Sequence, residues 1–307
     1  MSVIGIDTSN YTTSIAYFNG IDGVNCSRLL PVKQGELGLR QSDAVFAHTK
    51  SLPELSGRLF SHVQKDTITA VGVSTRPRAV EGSYMPCFMV GYSHAKLLSD
   101  ALGIPLVEVS HQQGHVAASL WSAGRLDLMD QAHLAWHLSG GTTELLLVEP
   151  EGKNVVCTKI GGTTDISAGQ LIDRTGQLLE LPFPAGKHLD ALSGEAVRKD
   201  VFKVKCQDMA FSLSGVQNKV QQFHASCGIP AETAAYALRC VAKAVYLATE
   251  QALKAYPGLP VVFSGGVASN SMLRQVIAPL NPIFAQPQFS TDNAMGVAVL
   301  AGRITEA

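Results

Sequence analysis

The stretch that decides the fold is Val3-Ile4-Gly5-Ile6-Asp7-Thr8-Ser9-Asn10-Tyr11-Thr12-Thr13-Ser14-Ile15-Ala16-Tyr17-Phe18. Apolar residues flank a segment rich in hydroxyl side chains, which predicts a β-hairpin with a polar turn. Backbone N–H groups and hydroxyls of such a turn can face a phosphate, and Thr8 and Ser9 are the candidate contacts. A single copy also fits an ordinary polar turn capped by Asp7, so the stretch alone does not identify a binding site.

The same pattern returns roughly 130 residues later, in Leu134-Ala135-Trp136-His137-Leu138-Ser139-Gly140-Gly141-Thr142-Thr143-Glu144-Leu145-Leu146-Leu147-Val148. Two such hairpins, each opening a half of mixed strands and helices, predict a duplicated α/β fold with one phosphate-binding turn from each half facing a shared nucleotide cleft. This organisation resembles the actin, sugar kinase and Hsp70 (ASKHA) superfamily. We predict one lobe over residues 1–108, closed by a C-terminal helix at 292–307, and a second lobe over residues 109–291.

Composition narrows the class of protein. Of the 307 residues, 46% are hydrophobic, 16% are charged and 28 are glycine, which suits a soluble α/β enzyme with many tight turns. The net charge of -1 gives no overall basic field, so RNA would have to be held by a local patch or a partner protein. The six cysteines lack CxxC spacing, which predicts free thiols. Without a signal peptide or about 18 consecutive apolar residues, we predict a cytoplasmic protein with no membrane contact.

A histidine pair suggests a metal site. The run His111-Gln112-Gln113-Gly114-His115 follows a short predicted strand that ends in Ser110, a good helix N-cap. In a helix starting there, both imidazoles leave one face of the first turn and can share a metal ion. The pair also fits a polar helix start with two solvated histidines. His133 and His137 have the same spacing, but their segment alternates like a strand, where four residues span roughly 13 Å and cannot chelate one ion.

Two further polar groups are ambiguous. Asp173 lies in an amphipathic helix that follows the glycine-rich stretch 160–164, which we predict to be a turn. Its carboxylate suits a ribose hydroxyl, or is simply solvated or ion-paired. Arg76 and Arg78 lie in a connecting loop, where they either contact an anion or RNA or remain solvated.

The C-terminal third contains a stronger nucleotide signal. A predicted buried strand at 260–264 runs into Gly265 and Gly266 and then into a helix whose N-terminal amides point at the turn. The glycines permit close approach of a flat ligand or tight packing, and Asn270 offers both a donor and an acceptor to a base or ribose. Asp292 is placed at the N-terminus of the closing helix, where an anion or a metal ligand is tolerated.

The motifs together resemble the TsaD family, the tRNA threonylcarbamoyladenosine synthases once labelled glycoproteases. The resemblance covers nearly the whole chain. The motifs, in order, are Gly5-Ile6-Asp7-Thr8-Ser9, His111 to His115, Ser139-Gly140-Gly141-Thr142-Thr143, Phe211-Ser212-Leu213-Ser214-Gly215, Gly265-Gly266-Val267-Ala268-Ser269-Asn270 and Thr291-Asp292-Asn293.

This resemblance implies one divalent metal, iron or zinc, held by His111, His115 and Asp292. It implies ATP or threonylcarbamoyl-adenylate bound by Leu138, Ser139, Gly140, Gly141, Thr142, Asp173, Gly186 and Asn270. In the family, the metal orients the adenylate while the amine of an adenosine beside the tRNA anticodon attacks its carbamoyl carbon, and no protein nucleophile is needed. The expected partners are tRNA and proteins similar to TsaB and TsaE.

The chain departs from the family at three places. Asn10-Tyr11-Thr12 stands where the family has an Asp-Glu pair, Thr142 replaces a histidine, and Thr75-Arg76-Pro77-Arg78 replaces a Gly-Pro-Gly loop. A metal-dependent threonylcarbamoyl transferase is our leading hypothesis. A divergent nucleotide-binding paralogue without catalysis stays open, as does an ATPase, kinase or carbamoyltransferase with another acceptor. A protease is disfavoured because the chain has no HExxH motif.

Overall fold

The computed structural model describes residues 2–9, 11–31, 39–63 and 68–306. The backbone packs into two compact units. The first unit comprises residues 1–131, 149–157 and 292–307, and the second comprises residues 132–148 and 158–291. Within the described ranges, no helix combines the length and apolar character needed to cross a membrane.

The first sheet has the strand order β3-β2-β1-β4-β5. Its strands are β1 (Ser2–Ser9), β2 (Thr12–Phe18), β3 (Gly23–Leu29), β4 (Ile68–Arg76) and β5 (Leu106–Ser110). The first three strands pair antiparallel, and β4 and β5 add in parallel to β1. The predicted β1–β2 hairpin is therefore confirmed. Thr8 and Ser9, however, pair with Thr13 and Thr12 inside the ladder rather than lying in the turn, because the strands continue through the hydroxyl-rich segment.

The second sheet has the strand order β12-β11-β6-β7-β8-β10-β9. Its strands are β6 (His133–Leu138), β7 (Thr143–Glu151), β8 (Asn154–Thr163), β9 (Cys206–Gln207), β10 (Ala210–Phe211), β11 (Val261–Ser264) and β12 (Ile283–Phe284). The order β12-β11-β6-β7-β8 repeats β5-β4-β1-β2-β3 of the first sheet. This shared topology confirms the predicted duplication.

One predicted turn is wrong. Residues 160–163 belong to the end of β8 rather than to a turn. A Cβ on Gly162 would lie 2.3 Å from the backbone oxygen of Thr143, and Gly162 has a φ of +122°. The glycine is therefore needed for close packing within the sheet, a role that sequence does not distinguish from a turn.

Helices cover both sheets. In the first unit they are α1 (Gln41–Phe60), α2 (Phe88–Leu102), α3 (His111–Ser122) and the C-terminal helix α9 (Met295–Thr305). In the second unit they are α4 (Ala168–Leu178), α5 (Gly186–Ser193), α6 (Ser214–Cys227), α7 (Pro230–Ala255) and α8 (Ser271–Ile277). Helix α7, of 26 residues, lies in the core of the second unit, and the fully buried Trp136 donates its indole N–H to Thr249 of that helix over 2.8 Å.

The division into units differs from the predicted lobe boundary at residue 108. The segment 109–131 groups with the first unit, because α3 packs along α9. The C-terminal residues 292–307 also group with the first unit.

Candidate metal centre and nucleotide-binding residues

Helix α3 begins where the sequence predicts it. The Ser110 hydroxyl accepts a hydrogen bond from the backbone N–H of Gln113 at 3.2 Å, and the Gln113 side chain accepts from the Ser110 N–H at 2.8 Å. This capping box fixes the first turn of the helix. His111 and His115 consequently leave one face of α3.

A close helix crossing brings the closing segment of the chain to the same place. A Cβ on Gly296 would lie 1.8 Å from the backbone oxygen of Gly114, so α9 can approach α3 this closely only because residue 296 is glycine. Asp292 lies just before α9, and this crossing positions its carboxylate beside the histidine pair. The backbone of residue 114, between the two histidines, is thus part of the site.

The three predicted ligands converge. The Nε2 atoms of His111 and His115 lie 2.9 Å apart, and the Asp292 carboxylate lies 3.2 Å from His115 Nε2 and 3.6 Å from His111 Nε2. All three donor atoms lie within 4.8 Å of one another. Side-chain exposure is 19% for His111, 7% for His115 and 28% for Asp292, so the cluster is mostly buried but open on the aspartate side.

Asp7 is a site residue that the sequence reasoning missed. Its carboxylate is 1% exposed and lies 2.6 Å from His111 Nδ1. Its other oxygen accepts the Ser9 backbone N–H at 2.8 Å. A carboxylate on the far nitrogen of an imidazole fixes the ring and raises the basicity of the near nitrogen, as is common for metal-bound histidines. The acidic residue in the Gly5–Ser9 motif was the available signal, but its partner is 104 residues away.

The site is strongly coupled electrostatically. Burial acts to lower the pKa of His111, but the charges and hydrogen bonds of Asp7 and Asp292 outweigh it and raise that pKa to about 10. Burial likewise acts to raise the pKa of Asp292, yet hydrogen bonds and charge from His111 and His115 hold it well below its usual range. Without a metal, His111 is therefore an imidazolium beside the negatively charged carboxylate of Asp292.

The donor set fits a divalent transition metal. With metal–ligand bonds of about 2.0–2.2 Å, neighbouring ligands of one ion lie about 3 Å apart, comparable with the separations found here. Two imidazoles and one carboxylate suit iron or zinc and leave coordination positions open.

The second histidine pair has no such geometry. His133 and His137 lie at the two ends of β6, where they pair with Val148 and Glu144 of β7. The strand keeps them roughly 13 Å apart, as predicted.

The turn of residues 139–142, which joins β6 to β7, is held by its own hydrogen bonds and by the start of α4. Thr142 donates its backbone N–H to the Ser139 hydroxyl at 3.0 Å, and the Ser167 hydroxyl donates to the Gly140 backbone oxygen at 2.5 Å. Helix α4 starts against this turn, since a Cβ on Gly169 would lie 2.4 Å from the Gly140 Cα. The turn is thus held by the capped start of α4, a contact that the sequence did not indicate.

The residues that follow β11 include the predicted nucleotide contacts Gly265, Gly266 and Asn270. Gly265 has a φ of +92° and lies against the buried Leu138, whose backbone oxygen would be 2.0 Å from an added Cβ. Gly266 opens a short 3-10 turn, and Asn270 caps α8 by accepting the Leu273 N–H at 3.0 Å. Both polar atoms of the Asn270 side chain therefore have internal partners: the oxygen caps α8 and the amide donates to Asp190.

Helix α5 links the remaining candidates. Asp173 of α4 accepts the backbone N–H of Ala185, next to Gly186 at the start of α5, over 2.9 Å. Asp190 of α5 accepts the amide of Asn270 over 2.9 Å. Burial raises the pKa of Asp173, which the Ala185 hydrogen bond only partly offsets. Asp190 was not predicted as part of this set.

The two hydroxyls of the first hairpin differ. Thr8 is fully buried, where its hydroxyl donates to the Cys87 backbone oxygen and accepts the Gly91 N–H, both at 3.0 Å. It anchors the start of α2 and is not presented to a ligand. Ser9 has its hydroxyl 3.5 Å from Asp292 and borders the candidate metal centre. Asn10, at the first departure from the family pattern, lies outside the described residues.

Comparison with solved structures supports the fold. HypF of T. kodakarensis aligns with 99% of this chain and 47% of its own, with a TM-score of 0.63 and 14% identity. Component A of the (R)-2-hydroxyglutaryl-CoA dehydratase of Acidaminococcus fermentans aligns over 100% of both chains, with a TM-score of 0.59 and 16% identity. A ROK family glucokinase from Streptomyces griseus gives 0.56 and 12%. The chain has the ASKHA fold.

Sequence relatives identify the family. The tRNA N6-adenosine threonylcarbamoyltransferase of Carboxydothermus hydrogenoformans is 30% identical over 96% of this chain and 90% of that protein. The protein of the same name from Streptococcus suis is 30% identical over 79% of this chain and 73% of its own. The family model for TsaD, tRNA N6-adenosine threonylcarbamoyltransferase, matches residues 36–299. The chain belongs to the TsaD family.

Proposed function

We propose that this protein is a metal-dependent transferase that moves the threonylcarbamoyl group from threonylcarbamoyl-adenylate to an adenosine beside the tRNA anticodon. The observation that carries the proposal is the convergence of His111, His115 and Asp292 within 4.8 Å. A protein that served only as a scaffold would have little use for this buried donor set with its own outer carboxylate.

In the first unit, His111, His115 and Asp292 would hold one iron or zinc ion. When bound, the metal supplies positive charge that polarises a phosphate or carbonyl oxygen and orients the adduct. Asp7 fixes the His111 ring so that Nε2 rather than Nδ1 faces the ligand. The burial of this cluster strengthens each electrostatic interaction relative to water.

In the second unit, the 139–142 turn and α5 would hold the adenylate. Backbone N–H groups at the glycine turn suit phosphate oxygens, and Asp173 suits a ribose hydroxyl. The acceptor amine is itself a nucleophile, so the side chains contribute positioning and charge stabilisation rather than a covalent intermediate. This role is compatible with Thr142 in place of the family's histidine.

A second candidate is a nucleotide-binding family member without transferase activity. It is favoured by the departures at Asn10 and Thr142 and by the internal contacts of Asn270 with Asp190 and Leu273. A kinase or ATPase is distinguished by release of ADP that depends on the acceptor. TsaB-like and TsaE-like partners are part of the proposal for the transferase.

The decisive experiment supplies threonylcarbamoyl-adenylate and an unmodified anticodon stem-loop RNA to the iron- or zinc-loaded protein, with and without TsaB-like and TsaE-like partners. Mass spectrometry of the RNA nucleosides should show threonylcarbamoyladenosine with the wild type and its loss in Asp292→Ala. The matched control is Asp22→Asn, an exposed aspartate of the same unit, which should retain activity. ATP binding without modified adenosine under all these conditions would favour the non-catalytic candidate.

A further inference from the structure

The 76–86 loop, defined here as Arg76 at the end of β4 and the residues that follow it up to 86, lies against the first turn of the metal-binding helix. The register between β4 and β5 shifts between Ser74 and Arg76, so that Arg76 pairs with Ser110, the N-cap of α3. Such a bulge changes the direction in which the next side chain points and is frequent next to active sites. The backbone oxygen of Pro77 then accepts the Gln112 N–H at 3.0 Å, which fixes the start of the loop on α3.

The other end of the loop is fixed at the same helix. The loop leads into α2, whose first residue Phe88 lies with its ring centroid 6.1 Å from that of His111. Within the loop, Arg78 donates its backbone N–H to the Ser83 hydroxyl at 3.0 Å. The backbone N–H of Ser83 in turn donates to the backbone oxygen of Val80 at 3.2 Å. The loop is therefore an ordered surface beside the donor cluster.

Its side chains combine cations with an exposed aromatic ring. Arg76 and Arg78 are exposed, and Tyr84 is 64% exposed. Within the described residues, the Arg76 side chain makes no hydrogen bond or ion pair. Glu81 is the one acidic residue of the loop. With two arginines and one glutamate, the loop has a formal charge of +1.

We propose that the 76–86 loop binds the single-stranded RNA loop that presents the acceptor adenosine, with Arg76 and Arg78 contacting phosphates and Tyr84 stacking on a base. This inference rests on the proposed function. Guanidinium groups beside an exposed aromatic ring form the usual platform for single-stranded nucleic acid. A free nucleotide fits less well, because small ligands are held in concave sites that bury most of their surface, whereas Tyr84 projects into solvent.

The charge of the whole chain strengthens the argument. With a net charge of -1, the protein has no general attraction for a polyanion, so RNA held by this chain itself depends on a local cluster of cations.

The test measures binding of a fluorescent anticodon stem-loop RNA to the full-length protein by anisotropy, from about 50 to about 200 mM salt. Arg76→Ala and Arg78→Ala should each weaken RNA binding and reduce the slope of log affinity against log salt by about 0.7. Tyr84→Ala should weaken binding about tenfold, and Tyr84→Phe should retain it. Arg58→Ala, which removes an exposed arginine of α1, should leave the slope unchanged.

Metal content and ATP affinity are measured on the same samples and should not change. The inference is overturned if the wild type does not bind the RNA, or if the double variant Arg76→Ala/Arg78→Ala and Tyr84→Ala bind it as the wild type does. It is also overturned if ATP affinity falls as much as RNA affinity, which would assign the loop to the nucleotide. RNA binding that depends on the loop, without transfer to the RNA, would contradict the proposed reaction and leave this surface intact.

Discussion

Two histidine pairs with the same sequence spacing lie on different secondary structures in this protein, one on a helix and one on a strand. His111 and His115 lie on α3, and their Nε2 atoms approach to 2.9 Å. His133 and His137 lie on β6, where four residues span roughly 13 Å. The spacing of two histidines therefore does not predict a shared metal ion unless the secondary structure between them is known.

The surroundings of the two pairs also differ. The helical pair meets two carboxylates, Asp7 from β1 and Asp292 from the segment before α9. In the strand pair, His133 lies opposite Val148 and His137 opposite Glu144, so one carboxylate is adjacent there as well. The helical pair is distinguished because its two imidazoles and the Asp292 carboxylate converge within 4.8 Å.

The largest expected effect is loss of the metal from the helical pair. Elemental analysis of the wild type, reconstituted with iron or zinc, should find about one ion per chain. His111→Ala and Asp292→Ala should lower metal affinity by more than the roughly 100-fold that loss of an outer hydrogen-bond partner costs. ATP binding on the same samples reports whether the metal and the nucleotide are linked.

His137→Ala is the matched control for this measurement, because it removes the same group at the same spacing from the strand pair. It should retain the full metal content. Equal metal loss in His137→Ala and His111→Ala would remove the distinction between the two pairs.

Asp7→Asn tests whether the outer carboxylate distinguishes the helical pair. We expect metal affinity to fall by about 10–100-fold while the stoichiometry at saturating metal stays near one. Competition with a chelator of known affinity measures the change, with Asp22→Asn as the control. An Asp7→Asn protein with wild-type affinity would mean that Asp7 serves folding alone.

Gly296→Ala tests the helix crossing that delivers Asp292. The added methyl would meet the Gly114 backbone oxygen, so we expect a loss of about 1–3 kcal/mol in the free energy of unfolding and weaker metal binding. Gly57→Ala in α1 meets nothing within 4 Å and should be neutral or slightly stabilising. Urea denaturation of both variants provides the comparison, and equal stability would show that α3 and α9 can separate at little cost.

The pH dependence of metal binding follows from the raised pKa of His111. Because that pKa is about 10 in the metal-free protein, binding must displace a proton at neutral pH. Apparent metal affinity should therefore rise by about tenfold per pH unit between about pH 7 and pH 9, with release of about one proton. Calorimetry in buffers of different ionisation enthalpy measures the proton count, and a value near zero would contradict the assigned charge.

The raised pKa of His111 also determines how the stability of the metal-free protein changes with pH. A folded pKa raised above 6.5 means that the His111 imidazolium stabilises the metal-free fold fully below about pH 6.5. This contribution is lost as pH rises through about 10. The metal-free protein should lose stability over this interval, whereas the metal-bound protein should not lose this contribution. Thermal unfolding with and without metal tests the divergence.

The sequence predicted the local elements well because their signals are local. Ser110 predicts the start of α3, and the two hydroxyl-rich hairpins predict the duplicated topology. The glycines at 161 and 162 led to the wrong prediction of a turn, because close packing in a sheet and a tight turn both require glycine. The hydroxyl of Thr8 anchors α2, a contact that depends on residues 79 and 83 positions away and that the local sequence does not indicate.

The rest of the site depends on contacts between distant parts of the chain. Asp7 meets His111 across 104 residues, and Asp292 meets His115 across 177. The resemblance to the TsaD family supplied Asp292 but not Asp7 as a member of the cluster. Asp190 was missed for the same reason, because its role depends on α5 packing beside Asn270.

The most direct test of the account is anomalous diffraction at the absorption edge of the bound metal, from crystals of the reconstituted protein. We predict one strong peak within bonding distance of His111 Nε2, His115 Nε2 and an Asp292 carboxylate oxygen, and no peak on β6. A peak at His133 or His137, or no peak at the helical pair in metal-saturated crystals, would contradict it.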